Sequence, residues 1–257
     1  MSDGWQRPGR SGAVLYALAA ALVSVFATIV SRLQIARFRG RRTIADALPP
    51  GGIIVISNHT GYADGVLLAL ACKRMGRPLR LLATGGVFRV PVLGGMLRRL
   101  GFIRVDRGTA RAAEALRPAA DALAAGEAVG LFPEGRITRD PARWPERAKT
   151  GVVRLALATA APIVPVAMAG STDVLDRRHN LRRLLKNIVL RPRVRVKVGA
   201  PVDVRRVMNI GPTVEPTVEE IRLAADEVMG VLVRLLADLR GESAPPTAGT
   251  SATAEPS

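Results

Sequence analysis

Apolar residues form one long uninterrupted run near the start of the chain. Residues 13–30, AVLYALAAALVSVFATIV, carry no charged side chain, and arginines flank them on both sides. About 20 apolar residues cross the hydrocarbon core of a bilayer, and roughly 17 is the lower limit. The run therefore predicts a membrane-associated helix that either spans the bilayer or lies in its surface. A cleaved signal peptide and a buried helix of a soluble core are the alternatives.

A different pattern follows between residues 51 and 170, where short β-branched runs alternate with stretches of helical periodicity. Such alternation predicts an α/β protein with layers of helices on a sheet. The predicted strands are Ile53–Ile56, Leu79–Ala83, Phe102–Val105, Ala128–Phe132 and Ile163–Ala169. The predicted helices are Asp64–Arg74, Val90–Leu100, Thr109–Ala125 and Gly151–Thr159.

The region after Gly170 is more basic. Val194, Val196 and Val198 alternate with Arg195 and Lys197, which predicts a half-buried strand. Residues 217–239 have helical periodicity, and residues 241–257 have the Ala/Pro/Ser/Thr-rich composition of a disordered tail. We therefore divide the chain into an N-terminal basic and membrane-associated segment (1–45), a domain (46–240) and a tail (241–257).

Charge narrows the choice of partner. The 257 residues include 38 Lys+Arg against 21 Asp+Glu, a formal net charge of +17, which favours phosphate, nucleic acid or an acidic membrane surface. Aromatic residues make up only 4%, so platforms for stacking single-stranded bases are not expected. Since arginines are denser after the apolar run than before it, the positive-inside rule places the domain on the cytoplasmic side of the cell membrane.

The chain has too few cysteines and histidines for an internal disulfide or for the usual structural zinc site. One cysteine, Cys72, cannot form an internal disulfide, and one cysteine with two histidines does not make the usual structural zinc patterns. Cys72 lies on a predicted helix without an activating partner, so we expect a small core residue. We predict no metal site.

Candidate chemistry follows the first predicted strand, where His59 and Asp64 stand in the segment NHTGYAD. A carboxylate that turns back onto an imidazole fixes its tautomer and stabilises its protonated form. The imidazole can then accept a proton from an attacking hydroxyl. The alternative is an Asp64 that caps a helix beside a solvent-exposed His59.

Three further segments carry groups suited to an anionic, hydroxylated substrate. Arg104 and Arg107 stand near a strand end, and an Arg fork suits phosphate because it binds two oxygens in one plane. Glu134, Gly135 and Arg136 stand in a Pro/Gly turn, and Pro165 interrupts an apolar strand, which suggests an edge or a bend lining a site. A solvated basic surface and an ordinary salt bridge at the turn are the alternatives.

Together, in this order and spacing, the four segments resemble the glycerolipid acyltransferase family, the enzymes that acylate lysophosphatidic acid and related acceptors. The resemblance runs from about Ile53 to Gly170 and implies a mixed β-sheet flanked by helices. It implies that His59 is the general base and that Asp64 orients it. It assigns acceptor binding to a further set of residues: Arg107 and Arg104 for the phosphate, then Glu134, Gly135 and Arg136, with Lys149 helping to form the anion site and Pro165 lining the active site.

The resemblance also implies a reaction. A fatty acyl group would pass from acyl-CoA or acyl carrier protein, as co-substrate, to the free hydroxyl of lysophosphatidic acid in the membrane, giving phosphatidic acid. No other cofactor and no nucleic acid are expected. Other acceptors stay open, namely another lysophospholipid, glycerol-3-phosphate or a lyso-aminolipid, as does a non-catalytic basic protein that binds lipid or nucleic acid.

Two departures from the family pattern concern the acceptor. Gly61 stands where a small polar residue is common, and the turn reads Gly135-Arg136-Ile137-Thr138-Arg139 where Gly-Thr-Arg-Ser is common. Either Arg136 or Arg139 could therefore supply the expected arginine.

Overall fold

A computed structural model describes residues 5–36, 48–105, 116–174 and 180–245. In this part of the chain seven strands form one mixed sheet in the order β1-β7-β6-β2-β5-β3-β4. All neighbouring pairs are parallel except β6 and β7. The strands are β1 Arg32–Ala36, β2 Ile53–Ser57, β3 Leu79–Thr84, β4 Ile103–Val105, β5 Ala128–Leu131, β6 Ile163–Ala169 and β7 Arg193–Val198.

Helices cover both faces of the sheet. They are α1 Arg10–Val30, α2 Asp64–Arg74, α3 Gly85–Phe88, α4 Leu93–Arg99, α5 Leu116–Ala124, α6 Gly151–Thr159, α7 Ser171–Val174, α8 Asn180–Leu190, α9 Val204–Met208 and α10 Val218–Arg240. One core layer joins the sheet to α2 and the end of α1, and the other joins it to α5, α6 and α10. The predicted fold class, a mixed α/β sheet flanked by helices, is confirmed.

The centre of the sheet explains why its strands could be predicted. All five residues of β2 are buried, because helices cover a central parallel strand on both faces and leave no polar alternation. The bounds of α2, α6 and β6 agree with the prediction. Of the predicted helix Thr109–Ala125, residues 109–115 lie outside the described residues, and α5 forms the rest.

The predicted helix Val90–Leu100 is wrong at its start. Val92 has φ +65°, outside the helical region, so α4 begins only at Leu93. Ahead of the predicted helix, residues 85–88 form the short helix α3, which was not predicted from the sequence.

The long C-terminal helix α10 has clear signals at both ends. The Thr217 hydroxyl accepts from the Glu220 amide while the Glu220 carboxylate accepts from the Thr217 amide, which forms a capping box. Gly241 follows the last turn at φ +74°, a conformation that glycine adopts without steric cost.

Helix α1 is long and apolar enough to cross a membrane by length and composition, yet the domain holds it near both ends. A Cβ on Gly12 would lie 2.8 Å from the Arg99 carbonyl oxygen, so only glycine permits this approach. At the other end, the Arg191 guanidinium donates to the Thr28 carbonyl at 2.6 Å. Between them, the Tyr16 hydroxyl accepts from the Leu79 amide at 2.8 Å.

The opposite side of α1 is apolar and exposed. Six of its large side chains are between 46% and 72% exposed, namely Val14, Leu18, Leu22, Val25, Phe26 and Ile29. One side of α1 therefore packs against the domain, and the other side consists of exposed apolar side chains.

Five strands, β2 to β6, end at one edge of the sheet, which we call the carboxyl edge. Because β7 is antiparallel to β6 and β1 is parallel to β7, the first residues of β1 and β7 lie at this edge too. The loops that leave the carboxyl edge carry the residues of the candidate site.

Candidate active site

His59 and Asp64 meet directly above the centre of the sheet. His59 lies two residues beyond the end of β2, and Asp64 is the first residue of α2. The imidazole Nδ1 lies 3.0 Å from Asp64 Oδ2. The Asp64 side chain is fully buried and the His59 ring is 17% exposed, so the ring alone is open to a substrate.

The Asp64 carboxylate also holds the loop that carries His59. Its Oδ2 accepts from the backbone amides of Thr60 at 2.5 Å and Gly61 at 2.7 Å. Within the described residues, Asp64 Oδ1 is buried without a hydrogen-bond partner. Oδ2 thus fixes both the loop and the imidazole ring, whereas Oδ1 accepts no hydrogen bond from a described residue.

The base of the loop is fixed to the neighbouring strand. The Asn58 side chain donates to the Met168 carbonyl at 2.9 Å and accepts from the Met168 amide at 2.8 Å. The Ser57 hydroxyl donates to the Val166 carbonyl at 2.6 Å. These contacts could not be predicted from the sequence, although Asn58 stands directly before His59, because their partners on β6 are backbone atoms.

Phe132 sets the plane of the imidazole. The two rings stack with centroids 4.0 Å apart and an interplanar angle of 15°. Phe132 follows β5, the strand beside β2, so the stacked ring comes from the adjacent loop of the carboxyl edge. With Asp64 on Nδ1 and Phe132 on the ring face, the imidazole has little freedom to turn.

Glu134 binds backbone amides of the site rather than a cation. Its Oε1 accepts from the His59 amide at 3.1 Å and its Oε2 from the Glu146 amide at 3.0 Å. Burial raises the pKa of Glu134 to about 7, against the lowering effect of these two amides. The salt bridge considered as the alternative for this carboxylate is not among its described contacts, and a role in acceptor binding stays a prediction.

Two further predicted binding residues, Lys149 and Arg136, differ in their surroundings at the turn after Glu134. Gly135 has φ +70°, and a Cβ there would lie 3.0 Å from Lys149 Cε, so the Lys149 side chain lies along the turn. The Arg136 guanidinium makes two hydrogen bonds to the Glu146 carboxylate, at 2.9 and 3.1 Å. Lys149 is therefore beside the turn that holds Glu134, whereas Arg136 is held by a carboxylate.

The remaining predicted residues lie away from the imidazole or outside the described residues. Arg104 is exposed on β4, three strands and so about 14 Å from β2. Arg107 lies outside the described residues. Pro165 lies inside the sheet, where pairing of β6 with β7 gives way to an isolated bridge between Ile163 and Val202. The expectation that Pro165 lies on an edge strand is thus wrong. Pro165 instead marks an irregularity in the pairing of β6, and its role in lining the site stays a prediction.

Fold and site together define an α/β protein with a His–Asp pair at the carboxyl ends of central parallel strands. A family model described as Acyltransferase matches residues 38–169, just over half of the chain. The chain belongs to this acyltransferase family.

Individual proteins are similar to about half of the chain. Over 146 residues, 53% of this chain, it is 36% identical to an uncharacterized protein of Mycobacterium leprae and covers 37% of that protein. Over 124 residues it is 29% identical to a 1-acyl-sn-glycerol-3-phosphate acyltransferase of Borreliella burgdorferi, covering 47% of each chain. The match thus spans less than half the length of either curated relative.

A solved structure has the same fold. It is the crystal structure of the 1-acyl-sn-glycerophosphate (LPA) acyltransferase, PlsC, from Thermotoga maritima, at a TM-score of 0.59 and 22% identity. The similarity covers 90% of this chain and 83% of that one. At this identity the similarity extends to the fold alone.

Proposed function

We propose that this protein transfers a fatty acyl group from an acyl thioester to the free hydroxyl of lysophosphatidic acid, giving phosphatidic acid. The observation that carries the proposal is the contact between Asp64 and His59. The buried Asp64 carboxylate lies 3.0 Å from Nδ1 of His59, and the His59 ring is partly exposed. The name of the Borreliella burgdorferi relative, 1-acyl-sn-glycerol-3-phosphate acyltransferase, supports the choice of acceptor.

The proposed mechanism takes Asp64 as an ionised carboxylate that accepts a hydrogen bond from the His59 ring. A carboxylate can only accept, so Nδ1 carries the proton and Nε2 is left with a lone pair. Nε2 takes the proton of the acceptor hydroxyl while the hydroxyl oxygen attacks the thioester carbonyl carbon. When the carbon–sulfur bond breaks, Nε2 returns the proton to the leaving thiolate. Asp64 stabilises the imidazolium that exists between the two transfers.

The transfer is direct and uses neither a metal nor a bound cofactor. Cys72 is the only cysteine, it is fully buried, and burial raises the pKa of its thiol, so it is unsuited to form an acyl-enzyme. The donor is a co-substrate, acyl-CoA or acyl carrier protein.

Acceptor binding is assigned to the side of the site next to β5, β3 and β4. Arg104 on β4, together with Arg107, would bind the phosphate, and Lys149 adds a cation beside Gly135. Glu134 acts on the acceptor indirectly in this scheme, because its carboxylate oxygens hold the His59 and Glu146 amides.

Helix α1 would place the site at the cell membrane, with the domain on the cytoplasmic side. Because the domain holds α1 near both ends, we infer that it lies in the membrane surface with its exposed apolar side in the lipid. A spanning orientation would break the contacts of Gly12, Tyr16 and Thr28.

The reaction is tested with purified full-length protein in detergent, lysophosphatidic acid and palmitoyl-CoA. Thiol release and the lipid product, measured by mass spectrometry, should show phosphatidic acid. His59→Ala should lower the rate by about 10²–10⁴-fold. The matched control is His179→Ala, since His179 is the only other histidine of the chain. A His59→Ala rate near that of the wild type, or an equal loss in His179→Ala, would show that His59 is not the base. Product from glycerol-3-phosphate or another lysolipid alone would move the proposal to that acceptor.

Membrane placement is tested separately with vesicles containing anionic phospholipid. Leu22→Glu, at a side chain 72% exposed on α1, should weaken sedimentation with vesicles at least tenfold. Leu223→Glu, at a side chain 52% exposed on α10, is the control and should bind like the wild type. Equal binding of all three proteins would exclude α1 as the lipid contact.

A further inference from the structure

A concave feature lies at the carboxyl edge, near the His59 site. It is a cavity of about 620 Å³ at the amino ends of β1 and β7 and the end of β6. Its lining residues are Gln34, Ala169, Gly170, Asp173, Arg193 and Arg195. The mechanism above uses none of them.

Strand alternation decides which face of the sheet the cavity opens on. Val194 and Val196 of β7 are buried in the core layer that includes α2 and the end of α1. Arg193 and Arg195 alternate with these valines, so they project from the opposite face of the sheet. The cavity therefore opens away from the apolar side of α1, towards water.

Charge gives the cavity a preference for anions. Its lining holds two exposed guanidinium groups and one carboxylate, that of Asp173, which leaves one net positive charge. Arg193 and Arg195 both pair in the sheet through their backbones, but neither of the two side chains makes a hydrogen bond or an ion pair with another described residue. Lys197, the next basic residue on that face of β7, is instead paired with Asp238 of α10.

The cavity is one strand away from the His–Asp pair. Strand β6 lies between β7 and β2, so β7 runs about 10 Å from β2. Ala169 and Gly170 of the cavity stand between two residues that touch the His59 loop. These are Met168, bonded to Asn58, and Ser171, whose hydroxyl lies 2.9 Å from that of Thr60.

We propose that this cavity binds the phosphate groups of the acyl donor, with Arg193 and Arg195 as the phosphate-binding residues and acyl-CoA as the donor. The proposal rests on the acyl transfer proposed above. The pantetheine arm of coenzyme A separates its phosphates from its thioester by more than the width of one strand. A donor held here would therefore present its thioester to His59.

The sheet then separates two anionic substrates. The donor phosphates bind on the β7 side of β2, whereas Arg104, assigned above to the acceptor phosphate, lies on β4 on the other side of β2. The two phosphate groups do not compete for one site, so donor and acceptor can be bound to the protein together, as direct transfer requires.

The size of the cavity favours a nucleotide over a carrier protein. Its volume lies within the roughly 300–1,000 Å³ of small-molecule and cofactor sites. A carrier protein would instead need about 800 Å² of surface on each partner. The 3′-phosphate and diphosphate of coenzyme A also offer several oxygens to two forked guanidinium groups.

The test measures coenzyme A binding and acyl-transfer kinetics on the full chain in detergent. Each charge-assisted contact accounts for about tenfold in affinity, so Arg195→Gln should weaken coenzyme A about tenfold by calorimetry and Arg193→Gln/Arg195→Gln still more. The KM for palmitoyl-CoA should rise in parallel, while kcat and the KM for lysophosphatidic acid stay within about twofold. Arg206→Gln is the control, since this exposed arginine on α9 lies near the opposite edge of the sheet.

Binding also separates this proposal from the proposed reaction. His59→Ala should be inactive yet bind coenzyme A like the wild type, and adenosine 3′,5′-bisphosphate should compete with coenzyme A in wild type but poorly in the double variant. Arginine-dependent coenzyme A binding without acylation of any lysolipid would support the donor site and reject the reaction. Acylation from palmitoyl-CoA with unchanged KM in the double variant would overturn the donor site alone. Activity with acyl carrier protein only, without coenzyme A binding, would also overturn it.

Discussion

Asp64→Asn is the sharpest single test of the proposed mechanism, because the structure allows the charge to be removed while the hydrogen bonds stay. Asp64 Oδ2 accepts from the Thr60 and Gly61 amides and from His59 Nδ1, and an asparagine oxygen can occupy the same place. The new amide group would replace Oδ1, which has no described partner to lose. The folded geometry should therefore survive.

The magnitude follows from the distance. The imidazolium charge is spread over the ring, so about 4 Å separates it from the carboxylate that lies 3.0 Å from Nδ1. At an effective dielectric constant of about 20, this attraction amounts to about 4 kcal/mol, which corresponds to a fall of roughly 10³-fold in kcat. The KM for lysophosphatidic acid should change little, because Asp64 is buried and does not touch the acceptor.

Steady-state acylation of lysophosphatidic acid measures this effect, with thermal unfolding as the control for folding. The double variant His59→Ala/Asp64→Asn should be no slower than His59→Ala, since the carboxylate acts through the imidazole. A Tm within a few degrees of the wild type combined with a kcat within tenfold of it would refute the charge argument. Equal and additive losses from the two substitutions would refute the pairing of the two residues in one step.

Substitutions at three further positions test the turn beside the site and the cap of α10. Because the pKa of Glu134 is raised to about 7, the folded state binds a proton that the unfolded state has lost, and stability should fall by about 3 kcal/mol as pH rises from about 4.5 to 7. The free energy of unfolding of Glu134→Gln, measured in urea, should not fall with pH in this range. An equal fall with pH in the wild type and in Glu134→Gln would contradict the raised pKa of Glu134. Gly135→Ala should lose about 1–2 kcal/mol, since alanine is strained at φ +70° and its Cβ would press on Lys149; an unchanged midpoint of urea unfolding would contradict this. Thr217→Ala should lose about 1 kcal/mol, a few degrees in Tm, while Thr217→Ser keeps the bond to the Glu220 amide and should match the wild type.

The interior of the sheet was predictable because burial on both faces leaves an apolar run of strand length. β2, β6 and the helices α2 and α6 follow such local patterns, and each has clear ends in the sequence. Long-range pairing was not predictable in this way. β1 was missed, since five residues within a basic segment become a strand only through their register with β7, more than 150 positions later.

Helix α8 was missed for a related reason. Its described apolar side chains, among them Leu185 and Val189, are exposed, and arginines and a lysine lie between them. The sequence therefore showed a charged stretch where the structure has an amphipathic helix beside the end of α1.

The candidate site likewise contains residues that could be predicted from local spacing and contacts that could not. His59 and Asp64 stand five positions apart and could be paired from the sequence, and the structure brings them together. Glu146 could not be found, because its amide reaches Glu134 through a turn that no spacing rule describes. The Asn58 contacts end on backbone atoms of Met168, which have no signature in a sequence.

The attachment of α1 decides how a water-soluble form of the protein can be obtained. Deleting residues before Ser31 would take away the Tyr16 hydroxyl that satisfies the Leu79 amide and the buried Val30, so the remaining domain would lose part of its own core. Replacing Leu18, Leu22 and other exposed residues of α1 by polar ones would keep those contacts and remove only the side assigned to lipid. The helix belongs to the folded domain, and in the proposed placement only one of its sides contacts the membrane.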